Sequence, residues 1–114
     1  MPRFLISFED GAMAHIPEEE FPAVAEASHA VVREARAAGV WRHGGGIYND
    51  AEVRIVDTDG TVTDNAYPGR KQPVGGFSIV DVPSRADALE WAGKIAVSCR
   101  CAQEVRELVD DPNA

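Results

Sequence analysis

Apolar positions along the chain change period several times, and each change marks an element. Phe4, Leu5, Ile6 and Phe8 form a short, nearly continuous apolar run that suits a buried central strand. Glu9-Asp10-Gly11 reads as its exit turn. Pro17-Glu18-Glu19-Glu20-Phe21-Pro22 is a helix start, with three carboxylates placed against the positive end of the dipole. Two prolines five apart cannot share one regular helix without losing a hydrogen bond, so the pattern predicts a short turn first and the main helix from about Pro22. Down that helix Phe21, Val24, Ala25, Ser28, Val32 and Ala35 recur at the spacing of one face, with Glu26 and Arg33 opposite. Gly39 is the natural stop.

Val40-Trp41-Arg42-His43 resumes as a strand and runs into Gly44-Gly45-Gly46. Val53, Ile55 and Val56 face Thr61, Val62 and Thr63 across Asp57-Thr58-Asp59-Gly60, a good hairpin signal. Residues 65–73 read as a polar loop, and residues 77–82 as another strand. Ser84-Arg85-Ala86-Asp87 opens a second helix as a variant capping box, with Ala88, Leu89, Trp91, Ala92 and Ile95 as its apolar face. Residues 101–109 read as the last strand, which would put Cys99 and Cys101 on one strand face as two buried thiols. The order is strand, helix, strand, inserted hairpin, strand, helix, strand. Two such units with both helices on one side of the sheet make an α+β, ferredoxin-like domain over residues 1–109, followed by an acidic tail at 110–114. That arrangement leaves the other sheet face bare, and a second copy is the simplest cover, so a homodimer is expected.

Composition narrows the functions. The 114 residues carry 19 acids against 11 bases, a formal charge of −8. Binding a polyanion requires clustered Lys and Arg, so nucleic acid is not an expected partner, and an anionic membrane is disfavoured for the same reason. No stretch of about 18 apolar residues is available for a membrane span, the start lacks a signal-peptide pattern, and two cysteines one residue apart do not make a disulfide framework. A cytoplasmic location is the expectation.

Residues 64–77, Asp-Asn-Ala-Tyr-Pro-Gly-Arg-Lys-Gln-Pro-Val-Gly-Gly-Phe, resemble the YCII-related (DGPF) domain family, whose members read Asp-Gly-Pro-Phe, then Glu-Thr-Lys-Glu, then Gly-Gly-Tyr at this spacing. Arg3-Phe4, Pro17-Glu18-Glu19-Glu20, a helical His29, Ala88-Leu89-Glu90-Trp91-Ala92 and a closing Glu104-Val105-Arg106 follow in the family's order. The chain keeps Asp64, the aromatic Tyr67, Lys71 and the Gly75-Gly76 pair; it replaces the Gly-Pro step with Asn65-Ala66 and a glutamate with Gly69, and gains Arg70. The resemblance implies a dimeric ferredoxin-like α/β barrel, and some relatives act on small aromatic compounds with a His–Asp pair proposed at the active site.

His29 is the leading candidate for chemistry. At about 100° per residue it lies about 80° from Phe21, on the border of the helix's apolar face, where an imidazole reaches into a cleft while staying wet. Imidazole exchanges protons near neutral pH, and Asp64 would fix its tautomer. Tyr67, Arg70 and Lys71 place positive charge beside an aromatic ring and would hold a small carboxylate or phenolate. Trp41 and Trp91 read as core or interface anchors. The triple glycine lacks the Lys-Ser/Thr and the following helix of a phosphate loop, Asp57-Thr58-Asp59-Gly60 lacks the twelfth-position glutamate of a calcium loop, and His15 and His43 have no metal-site spacing. No flavin, haem or nicotinamide motif is present. The expectation is therefore an enzyme without cofactor or metal, performing elimination or isomerisation on a small aromatic or acidic compound. The alternative is a non-catalytic dimer that binds a metabolite or regulates a partner.

Overall fold

The computed structural model describes residues 1–48, 53–63 and 74–114. Its strands are β1 (Arg3–Glu9), β2 (Trp41–Gly46), β3 (Ile55–Val56), β4 (Val62–Thr63), β5 (Val74–Asp81) and β6 (Glu104–Glu107); its helices are α1 (Phe21–Ala37) and α2 (Arg85–Cys99). Four strands form one antiparallel sheet in the order β2-β5-β1-β6, while β3 and β4 form a separate two-stranded ribbon. This antiparallel sheet with two helices is compatible with the ferredoxin-like arrangement expected from the element order.

Strand β1 occupies the centre because its apolar run can be buried from both sides. Phe4 and Ile6 are fully buried and pair across the ladder with Val80 and Ser78. They form one core with Val82, Ala88, Ala92 and Ile95, and each large side chain taken from water contributes about 1.5–3 kcal/mol. Leu5 and Ile79, which pair with each other, point to the opposite face of the sheet and stay half-buried.

The α1 start follows the two-proline argument. A 3-10 turn over Glu18–Glu20 precedes the helix, closed by the Glu20 amide donating to the Pro17 carbonyl at 2.9 Å, and Pro22 falls in the first turn of α1. Gly39, at φ 75°, ends it, with its amide donating to the Arg36 carbonyl and the Val40 amide to the Ala35 carbonyl. The buried stripe is rotated from the one expected: Val24, Val31 and Ala35 meet the core, whereas Phe21 is 41% exposed and Ala25 is exposed. In α2 the cap is as expected, the Asp87 amide donating to Ser84 Oγ at 3.3 Å and the hydroxyl donating to the Asp87 carboxylate at 2.8 Å. Its face also differs, since Leu89 is 54% exposed and Ser98 takes a buried place.

The largest correction lies after α2. Cys99 is the last helical residue rather than a strand residue; Arg100 then turns left-handed at φ 57°, and β6 begins only at Glu104. The two thiols are half-buried on a helix end and its turn, not paired on a strand face. The hairpin is as expected, its Asp57 amide donating to the Thr61 carbonyl at 2.8 Å and the Gly60 amide to the Asp57 carbonyl at 2.9 Å. Among the described residues, no helix is long and apolar enough to cross a membrane.

Candidate functional site

A cleft of about 730 Å³ opens between α1 and the β2 edge of the sheet. Helix α1 lines it with Ser28, His29, Val32, Arg33 and Arg36, residues spread over two turns of one flank. The sheet contributes Phe8, Trp41, Ser78 and the backbone of Gly44-Gly45-Gly46. His43 on β2 and Phe77 on β5 also line it, with ring centroids 6.1 Å apart.

Close packing dictates two of the glycines. A Cβ on Gly44 would lie 2.6 Å from the Phe77 carbonyl oxygen and 2.8 Å from the Trp41 indole. A Cβ on Gly76 would lie 2.5 Å from the tip of the Phe8 ring. The indole and the phenyl ring therefore fill the places that side chains at Gly44 and Gly76 would take, and they make the apolar floor of the cleft.

His29 is exposed at the cleft wall, and its ring nitrogens have no hydrogen-bond partner among the described residues. Of the residues expected to work with it, Asp64, Tyr67, Arg70 and Lys71 all lie outside the described residues. His43 and the two arginines were not expected here. Arg33, assigned by helical spacing to the side opposite the apolar face, instead lines the cleft, where it also meets Glu26 at 2.8 Å. The spacing of His29, Arg33 and Arg36, four and then three residues apart, was visible in the sequence; what it faces was not.

Cys99 also lines the cleft, but burial pushes its thiol above the ordinary range, as it does for Cys101, where a neighbouring Cys99 charge adds to the effect. Neither environment makes a thiolate nucleophile. Among the described residues, no group of three or more His, Cys, Asp or Glu side chains could hold a metal ion. The set that remains suits proton transfer by an imidazole beside fixed positive charge.

The fold has a solved counterpart: 5-chloro-2-hydroxyhydroquinone dehydrochlorinase (TftG) from Burkholderia phenoliruptrix AC1100, in complex with 2,5-dihydroxybenzoquinone. The two superpose with a TM-score of 0.53 over 97% of this chain and 97% of that one, at 14% sequence identity. At that identity the likeness establishes a shared fold. No protein-family model matches the chain, and no curated protein does.

Proposed function

We propose that this chain is a small-molecule enzyme of the YCII-related type, in which His29 performs general acid–base chemistry in the α1–β2 cleft without a cofactor. The observation that carries the reading is the position of His29: reachable from solvent, on the wall of a cleft with an aromatic floor, its ring nitrogens not committed to another described side chain. In an elimination His29 takes the proton from a carbon of the substrate, the C–H electron pair becomes the new π bond, and the leaving group departs with its own pair. In an isomerisation the same imidazolium returns the proton to a different carbon. Asp64 is assigned as the residue that orients the ring, and Tyr67, Arg70 and Lys71 as substrate-holding residues. The fold shared with a dehydrochlorinase that acts on a small hydroxylated aromatic supports this reaction class.

The functional unit is proposed to be a homodimer forming an α/β barrel, in which the sheet face carrying Leu5, Phe77 and Ile79 meets its copy. Half-buried apolar side chains on the sheet face turned away from the two helices support this pairing.

The test is a turnover screen of small hydroxylated and halogenated aromatic compounds, 5-chloro-2-hydroxyhydroquinone among them, followed by chloride release and absorbance. With a substrate in hand, His29→Ala is expected to lower kcat/KM by about 10²–10⁴ with the circular dichroism unchanged. A variant as active as the parent protein would end the acid–base assignment.

A further inference from the structure

The described lining of the cleft carries charge opposite to that of the chain. Acids outnumber bases 19 to 11 overall, yet among the described residues lining the cleft there is no Asp or Glu, while Arg33 and Arg36 are both present. Arg33 has one exposed partner, Glu26 at 2.8 Å, with both side chains well solvated at 61% and 73% exposure. Such a contact is easily exchanged. The guanidinium of Arg36 has no ion pair or hydrogen bond with any described residue. Its place in the last turn of α1 suits the helix dipole, which accounts for a cation there. The dipole does not account for a guanidinium that meets no counter-ion among the described residues of so acidic a protein.

Much of the remaining described lining is apolar, with Phe8, Met13, Val31, Val32, Trp41 and Ile95. The Phe8 ring and the Trp41 indole are held in place by Gly76 and Gly44, whose missing side chains they replace. An inorganic anion has no use for such a floor. A planar ring with a carboxylate on its edge matches both parts: the ring covers the aromatic side chains, and the carboxylate accepts parallel hydrogen bonds from a guanidinium.

We infer that the cleft selects a small aromatic carboxylate, with Arg36 as the principal anion-binding residue and Arg33 as its neighbour in that role. The inference rests on the same cleft as the proposed reaction and gives its substrate class, but it does not depend on His29 transferring a proton.

Benzoate, benzamide and acetate titrated separately into the full-length protein, followed by amide and indole chemical shifts, test it. Benzoate is expected to shift Gly44, Gly46, Ser78 and the Trp41 indole. Benzamide, which has the same shape without the charge, should bind about tenfold more weakly, and acetate weaker than benzoate by a similar factor. Arg36→Gln should weaken benzoate about tenfold and leave benzamide unchanged, while Arg85→Gln, on the other helix and paired with Glu107, alters neither. Benzamide or acetate equal to benzoate, an unaffected Arg36→Gln protein, shifts centred away from the cleft, or no shifts at tens of millimolar would each overturn the inference. His29→Gln separates the two ideas: a protein that keeps both turnover and benzoate binding sinks the acid–base role and leaves the anion site standing.

Discussion

Arg3 and Asp81 face each other across the β1–β5 ladder and meet through two parallel contacts, Nε to Oδ1 at 2.6 Å and Nη2 to Oδ2 at 3.1 Å. Arg42 approaches the same carboxylate at 3.4 Å, so two cations share one acid at this end of the sheet. The carboxylate is only 18% exposed, and the hydrogen bonds from Arg3, followed by the charges of Arg3 and Arg42, hold its pKa below the ordinary aspartate range against the opposing effect of burial.

A depressed folded-state pKa fixes the sign of the pH dependence. Asp81 contributes stability above the unfolded aspartate value of about 3.9, and that contribution is lost as pH falls from there through the lower folded value. Asp81→Asn is expected to lower Tm by a few degrees at pH 7, with the gap to the parent protein narrowing below about pH 4. Thermal melts of the two proteins across this range check it; a gap that stays constant down to pH 3 would rule out the linkage.

The glycines of β2 differ in what they tolerate. A methyl group at Gly44 would meet two backbone atoms, the Phe77 carbonyl oxygen at 2.6 Å and the Ser78 Cα at 3.0 Å, besides the Trp41 ring. At Gly46 its nearest neighbour would be the Gly75 oxygen at 3.9 Å, an ordinary contact. Gly44→Ala should therefore cost about 1–3 kcal/mol in urea unfolding and disturb the Trp41 fluorescence. Gly46→Ala should stay within about 0.5 kcal/mol of the parent protein. Equal midpoints for the two variants would mean that the β2 edge gives way freely.

What could be read in advance was local. The run at Phe4–Leu5–Ile6, the Asp57–Gly60 turn, the Pro17/Pro22 pair and the Ser84 cap each carry their signal within a few residues, and each appears in the expected place. The facing of α1 differs from the expected one because alanines lie all around it, at 23, 25, 27, 30, 35 and 37, so the apolar stripe has no sharp edge and Val32 looks as good as Val31. The end of α2 differs from the expected one because Arg100 takes the left-handed turn that glycine usually marks. The cleft itself is not local: His43 and Arg36 become members of a site only when α1 lies against the edge of a glycine strand.

The α2 start offers a direct check on how much one cap contributes. Ser84 Oγ accepts from the Asp87 amide and donates to its carboxylate, and Ala88, the next residue, is fully buried in the core. Ser84→Ala should cost about 1 kcal/mol in denaturant unfolding, and Ser84→Thr should keep most of the stability, because its hydroxyl can make the same contacts. A Thr variant as weak as the Ala variant would show that the hydroxyl is not what holds the turn.

The proposed sheet-on-sheet homodimer makes Ile79 its most informative position. Ile79 stands opposite Leu5 on β1 and opposite His43 on β2, in the middle of the face turned away from the helices. A lysine there would remove apolar contact and bring a charge against its own symmetry mate, since a two-fold interface presents the same patch twice. The parent protein should sediment as a dimer at tens of micromolar, and Ile79→Lys as a monomer with its helical signal intact. Leu5→Ala, which trims the same face without adding charge, should weaken the dimer without abolishing it. A parent protein that is monomeric under these conditions would exclude the paired sheet, and the α1–β2 cleft would then have to work within a single chain.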